Sequence, residues 1–365
     1  MKVALVYDRV NKWGGAERVL LSLHKLFPEA PLFTSVYNPE TAGWAKVFTR
    51  VIPSFLQKFP YASVRHDFYA PLMPLAFESF DFSGYDLVIS VTSEAAKGII
   101  TKPGTVHISY CLTPTRYLWS GYEEYIDTPL RRKVLAPVVG YLQRWDQVAA
   151  QRPDVLIAIS KTVQQRIEKY YGRESVVIYP PVTLACPESA DSGRAVLARM
   201  TNDHQYYLVV SRLVPYKKVD LVVQAFNVNG KPLIIVGTGS EEKRLRLMAK
   251  GNIKFTGFIS DTDLSQYYKN CKALIFPQEE DFGIVSVEAQ SFGKPVIAHK
   301  SGGVVETVTG KTGMFFERQT AGDLLDAIQG FEVRRFAEKD CINNAKRFSE
   351  EKFLESFAKM VDTLV

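Results

Sequence analysis

Two carboxylates, Glu280 and Glu288, stand eight positions apart around Asp281-Phe282-Gly283, directly after the apolar run Ala273-Leu274-Ile275-Phe276-Pro277. The run reads as a strand and Ser286 to Phe292 as a helix. The first acid therefore falls in a strand-to-helix loop and the second about a turn into the helix. In an open α/β sheet ligands bind outside the carboxyl ends of the strands. A helix start there offers unpaired N–H groups and a positive dipole end to an anion, while carboxylates suit hydroxyls. The competing reading is a pair of ordinary solvated acids.

Two cations could share that crevice. Ser211-Arg212-Leu213-Val214-Pro215-Tyr216-Lys217-Lys218 follows the strand-like Tyr207 to Val210. Arg212 would emerge at the strand's end, and the turn at Pro215 would bring Lys217 back beside it. Such a pair suits a diphosphate, whose negative charge grows as it departs; plain surface cations are the alternative. Gly237-Thr238-Gly239-Ser240 follows another strand and is compatible with close approach of a nucleotide. It lacks the third glycine of a dinucleotide fingerprint, which disfavours an NAD-dependent dehydrogenase. Near the start, Trp13-Gly14-Gly15-Ala16-Glu17 either lets backbone N–H groups reach a phosphate or sugar, or simply turns the chain into a helix.

These residues need a scaffold. Short β-branched runs recur between helical patterns: Val3 to Tyr7, Leu87 to Val91, His107 to Cys111 and Val155 to Ile159, then Tyr207 to Val210, Pro232 to Val236, Ile253 to Phe255, Ala273 to Phe276 and Pro295 to Ala298. The alternation predicts an α/β protein of two doubly wound, Rossmann-like units over residues 1–180 and 181–345, facing a central cleft that is the default binding site. The break is placed in the Pro-containing stretch 179–192, after the strand-like Ser175 to Ile178, and the pattern restarts after residues 194–201. Phe348, Phe353, Phe357, Met360 and Val361 lie at near-helical spacing in a final amphipathic helix, taken as residues 346–365.

At 365 residues with 46% hydrophobic composition, the chain is long enough for two cores. No apolar run approaches the roughly 18 to 20 residues of a spanning helix. Met1 to Val6 is too short for a signal peptide, so a cytoplasmic protein is expected. Cys111, Cys186, Cys271 and Cys341 lie far apart and read as buried thiols; with five scattered histidines, a metal site is not expected. Of the net charge of +6, residues 1–175 carry 21 Lys and Arg against 16 Asp and Glu, or +5. That bias favours an anionic acceptor or membrane surface, or reflects solvated helix faces. Without a dense basic stripe interleaved with aromatics, nucleic acid is not an expected partner. Residues 51–82, rich in Phe, Tyr, Leu and Pro with Lys58 and Arg65, could lie on a membrane or cradle a lipid-linked acceptor, or simply pack on the domain.

Taken in order, the Gly14 to Glu17 loop, the 211–217 segment, the Gly-x-Gly turn, the two-acid motif and Ser301-Gly302-Gly303 resemble retaining glycosyltransferases of family 4, which have the GT-B fold. The resemblance runs over nearly all of the chain. Tyr110 to Trp119 further resembles a subgroup that includes bacterial mannosyltransferases of surface-polysaccharide assembly. What it implies is a metal-independent hexosyltransferase without a cofactor, moving mannose from GDP-mannose to a hydroxyl of a lipid-linked or polysaccharide acceptor. Arg212 and Lys217 would bind the diphosphate, Glu280 the sugar hydroxyls and Glu288 the ribose. Gly14, Gly15, Gly237, Ile259, Phe282, Gly283, Ile284 and Val285 would line the donor nucleotide-sugar, with Arg116 and Tyr117 on the acceptor side. The departing phosphate would take the acceptor's proton, and the terminal helix would cross back onto the first domain. Peripheral contact with the inner face of the plasma membrane is compatible with this. One position departs: many members carry His before the Thr-Pro of this segment, where this chain has Leu112. His107 is either its substitute or a core histidine. The alternatives are a non-catalytic sugar-nucleotide-binding protein, a UDP-sugar transferase, or a GT-B-type epimerase or phosphorylase.

Overall fold

A computed structural model describes residues 1–125, 128–184 and 206–364, so Cys186, the 185–192 part of the expected break and residues 194–201 lie outside the described residues. Contacts divide the chain into Met1–Pro181 with Glu351–Val365, and Val182–Glu350.

The first unit holds a parallel sheet of seven strands: β1 (Val3–Tyr7), β2 (Leu32–Thr34), β3 (Val51–Pro53), β4 (Leu87–Thr92), β5 (Val106–Cys111), β6 (Val155–Ala158) and β7 (Val176–Val177), in the order β3-β2-β1-β4-β5-β6-β7. All six residues of β4 are buried, as a strand covered on both faces requires. The short strands β2 and β3, of which β3 is at the sheet edge, escape the alternation signal, because three residues each carry too little of a repeat to register. Residues 51–82 contribute Leu56, Met73, Ala76, Phe77 and Phe82 to the core while exposing other apolar side chains.

The second unit repeats the design with β8 (Tyr206–Val210), β9 (Leu233–Val236), β10 (Ile253–Gly257), β11 (Cys271–Phe276), β12 (Val296–His299) and β13 (Gly313–Phe316), all parallel, in the order β10-β9-β8-β11-β12-β13. Successive side chains of a strand face opposite sides, and the cores obey this. Tyr207, Val209 and Ile235 join the helices Val219–Asn229 and Ala321–Glu332 in one cluster. Tyr206, Leu208 and Ile234 join Tyr267, Tyr268 and Ala289 of the helices Asp261–Asn270 and Ile284–Ser291 in the other. Phe226, wholly buried in the first cluster, contributes roughly 2 to 3 kcal/mol by removing its ring from water.

The end of the chain differs from the sequence expectation. A single helix from residue 346 is not formed: Lys346–Phe348 is a 3-10 turn and the helix is Glu350–Leu364. Phe348 packs on Phe282 at 5.4 Å between ring centroids, and Ser349 bridges to Val182, so residues 346–350 belong to the second unit and the boundary moves to 350/351. Phe353 and Phe357 pack on Tyr110 at 5.8 and 6.3 Å, which ties the terminal helix to the first unit.

Candidate functional site

Both sheets carry the strand order whose reversal point opens a crevice beside the first strand. In the second unit that point lies between β8 and β11, and the loops leaving these strands carry 211–218 and 277–283. Backbone packing sets their positions. Gly237 sits at φ +128 with its notional Cβ 1.9 Å from the Ser211 carbonyl oxygen, and Gly239 would place one 2.2 Å from that of Leu213. Leu213 N–H donates to the Thr238 carbonyl at 2.9 Å. These glycines serve close approach of loop to loop. A second pair does the same for the two-acid loop. Gly302, at φ +71, would bring a Cβ within 2.3 Å of the Glu280 carbonyl oxygen, and Gly303 N–H donates to that oxygen at 2.8 Å. Ser301 Oγ donates to Glu279 at 2.7 Å.

On this frame Lys217 Nζ donates directly to Glu280 Oε1. The lysine side chain is 11% exposed and the glutamate 20%, so the pair is shielded yet reachable. Gln278 Nε2 donates to the same carboxylate oxygen at 2.9 Å. Lys217 lies over the Tyr216 ring at 5.1 Å, and Arg212 lies over it at 6.0 Å and donates to its hydroxyl. Tyr216 thus couples both cations, a role that its type alone did not announce. Lys218 then takes φ +52, unusual for a residue with a side chain, as it leads into the helix Val219–Asn229.

After Glu280, Phe282 is buried and Gly283 at φ +88 starts the helix Ile284–Ser291. Ser286 Oγ donates to the Gly283 carbonyl at 2.7 Å, and the Gln290 amide donates to the Thr307 carbonyl at 2.8 Å, holding this helix start rigid. Glu288, half-buried, accepts from the Tyr268 hydroxyl at 2.9 Å. Val285 and Ile259 are half-buried against the second cluster, while the neighbouring Phe258 is 82% exposed. The expected donor-side residues of this unit, Arg212, Lys217, Gly237, Ile259, Phe282 to Val285, Glu280 and Glu288, thus ride on the loops and helix after β8 to β11.

Gly14, Gly15, Arg116 and Tyr117 belong to the first unit. Its own reversal point lies between β1 and β4. Gly14 precedes the helix Gly15–Leu26, whose Glu17 is 1% exposed and accepts from the Tyr7 hydroxyl at 2.8 Å. Burial raises the Glu17 carboxyl above its usual range. Asp8 accepts four backbone N–H groups, those of Ser93, Glu94, Ala95 and Ala96, at 2.6, 3.0, 2.9 and 2.8 Å. Burial and nearby Glu94 raise its pKa, opposed by those donors. Arg9 pairs with Glu94. Lys97 and Asp146, each 1% exposed, meet at 2.5 Å. The Asp146 carboxylate also accepts from Thr115 Oγ1, Trp119 Nε1 and the Tyr171 hydroxyl at 2.9, 2.7 and 2.8 Å. Arg116 and Tyr117 are therefore half-buried between two anchors, Thr115 and Trp119. The sequence reading missed Asp8, Lys97 and Asp146; a charged residue just after a buried strand run was the available signal for the first.

Leu112 directly follows β5 and is half-buried. His107 cannot stand in for an imidazole there: five strand residues put it about 16 Å away. It is fully buried, bonded through Nε2 to Ser90 Oγ at 2.9 Å, and burial lowers its pKa to about 3. It is a core histidine. Cys111, Cys271 and Cys341 are buried and outside any disulfide, and burial pushes Cys271 up to about 12 and Cys341 to about 11.

The sequence of residues 198–348 matches the family described as glycosyl transferases group 1. The chain is 31% identical over 217 residues to the GDP-mannose-dependent monoacylated alpha-(1-6)-phosphatidylinositol monomannoside mannosyltransferase of Corynebacterium glutamicum, covering 51% of this chain and 57% of that one. It is 27% identical over 181 residues to O-antigen chain mannosyltransferase C of Escherichia coli, covering 48% and 45%. The chain thus spans about half the length of these relatives. The Anabaena protein Alr3699/HepE, solved in complex with UDP, superposes over all of both chains with a TM-score of 0.72 at 21% identity. At that identity the likeness speaks for the fold. Two parallel units with this strand order, superposing on that neighbour, give the chain the GT-B fold, and most of its second unit matches the group 1 glycosyl transferases.

Proposed function

We propose that this chain transfers a hexose, with retention at the anomeric carbon, from a nucleotide-sugar to an acceptor hydroxyl, and that the donor is GDP-mannose. The observation that carries the proposal is the Lys217–Glu280 pair at the reversal point of the second sheet, beside the helix start at Gly283. An ammonium has three donors, and Glu280 uses one. The other two, with the Arg212 guanidinium, suit diphosphate oxygens, on which charge develops as the sugar–oxygen bond breaks. Glu280 and Glu288 offer acceptors to sugar and ribose hydroxyls. The new bond forms on the face that the phosphate leaves, and the acceptor proton passes to the departing phosphate oxygen, so no protein base is consumed and the cations supply the countercharge in place of a metal. The mannosyltransferase relatives support the donor, and their names a lipid-linked or polysaccharide acceptor. The UDP complex of the structural neighbour keeps a UDP-sugar as the second donor to test.

Incubation with GDP-mannose or UDP-glucose and a bacterial lipid extract, with nucleoside diphosphate release measured, tests this. GDP release that needs the extract and survives EDTA is expected. Binding without turnover for either donor would leave a sugar-nucleotide-binding protein instead.

A further inference from the structure

The loop that leaves β1, residues 8–14, starts at the first unit's reversal point, on the sheet edge where open sheets bind ligands. It holds Trp13 at 46% exposure. That exposure does not come from a slack loop. Val10 N–H donates to the Val36 carbonyl at 2.9 Å, and the Val10 carbonyl accepts from Asn38 N–H at 2.8 Å. Side chains hold the next two carbonyls, that of Asn11 by Thr41 Oγ1 at 2.8 Å and that of Lys12 by Trp44 Nε1 at 2.7 Å. The Asn11 amide donates to the Ser63 carbonyl at 3.0 Å. Every carbonyl from residue 10 to 12 thus has a donor, and a side chain fixed in place this way costs little further ordering when it meets a ligand.

The Trp13 ring packs on that of Trp44, at 6.3 Å between centroids and tilted by 55°. Trp44 is half-buried, packs edge-on against the buried Phe48 at 6.2 Å and gives its N–H to the loop, so it forms a fixed backing. Gly14 and Gly15 follow Trp13 and have no side chain to cover it. Exposed Lys12, Glu40 and Thr41 bring an ammonium, a carboxylate and a hydroxyl to the loop and to the segment bonded to it. An aromatic face with a few polar groups beside it is the make-up of a small-molecule site, the ring giving contact area and the polar groups orientation. A pyranose matches both parts: its C–H face stacks on the indole and its hydroxyls reach the polar side chains. An acyl chain would leave the polar groups unused, and a lone phosphate would leave the ring unused.

We infer that Trp13, backed by Trp44, is a stacking platform for a sugar ring of the acceptor, which makes a saccharide the part of the acceptor that the first unit grips. The word acceptor rests on the transferase reading above, but the binding is measured without transfer. Saturation-transfer NMR of the full chain with mannotetraose, and separately with chitotetraose, reads which ring C–H protons touch the protein. Saturation of ring C–H protons of at least one oligosaccharide is expected. Trp13→Ala should weaken that binding about tenfold, and Trp13→Phe, which keeps an aromatic face, should recover most of it. In the transfer assay Trp13→Ala should raise the half-saturating amount of acceptor extract about tenfold, with kcat and the KM for GDP-mannose within about twofold. Thermal shift with GDP-mannose reports the donor separately: no shift, with saturation that still depends on Trp13, overturns the donor reading and leaves the platform standing. No saturation from either oligosaccharide, or equal saturation in wild type and Trp13→Ala, overturns the inference. So does a loss in Trp13→Ala that comes with a fall in Tm and that Trp13→Phe does not recover, because the indole would then only support its loop.

Discussion

Each of the two sheets gathers charge at its reversal point, and the two gatherings are built in opposite ways. In the first unit the charges are spent on the protein itself. Asp8 takes four backbone N–H groups, and Lys97 meets Asp146 where both are 1% exposed. Four donors saturate the Asp146 carboxylate. In the second unit Lys217 and Glu280 remain 11% and 20% exposed and keep hydrogen-bonding capacity to offer. A charge in a crevice therefore points to ligand chemistry only when its partners leave part of it unspent.

The sharpest test of the contrast is Lys97→Met. Leaving Asp146 buried without its cation should cost about 3 to 5 kcal/mol in urea unfolding. A loss under about 1 kcal/mol would mean that the first reversal point is not structural. Lys217→Ala should show the reverse pattern: transfer slowed about 10² to 10³-fold, as for loss of one electrostatic contact to a leaving group, with stability changed by under about 1 kcal/mol because Glu280 is part-exposed and keeps Gln278. Destabilisation without kinetic loss would erase the distinction.

Acid should also separate the units. His107 is held neutral, with its pKa lowered from 6.5 to about 3. Its protonation then favours the unfolded chain, so stability present above pH 6.5 falls as pH drops toward 3. The loss is about 1.4 kcal/mol per pH unit, or about 2 kcal/mol between pH 6.5 and 5. Urea melts of the wild type and of His107→Gln should diverge over that window, with the variant less acid-sensitive. The smallest effect is expected at Leu112→His. One added hydrogen bond to an uncharged group is worth about 0.5 to 1.5 kcal/mol, or about tenfold in rate; a gain of thousands would place that position at the centre of the chemistry.

Much of this was legible in one dimension. Strands of a parallel sheet read as apolar or β-branched runs, so ten of the strands among the described residues announced themselves. The acids at 280 and 288 and the cations at 212 and 217 were visible because they follow such runs, where open sheets bind ligands. Other features were not legible. Residues 32–34 and 51–53 are too short to show a period. That the glycines at 237 and 239 make room for the backbone of residues 211 to 213 depends on a contact between distant segments. Phe348 looked like the first turn of the terminal helix because its spacing to Phe353 and Phe357 is nearly helical; its ring lies on Phe282 instead.

By itself the sequence determined the two α/β units and the chemical types at the second reversal point, because hydrophobic periodicity and strand-end position are local properties of the chain. Only the tertiary structure decided which charges are spent and which remain available. It paired Lys97 with Asp146 across 49 positions and Lys217 with Glu280 across 63, and set one pair in a dry core and the other at a reachable edge. Desolvation and hydrogen-bond saturation depend on neighbours brought from far along the chain, and no local pattern records them.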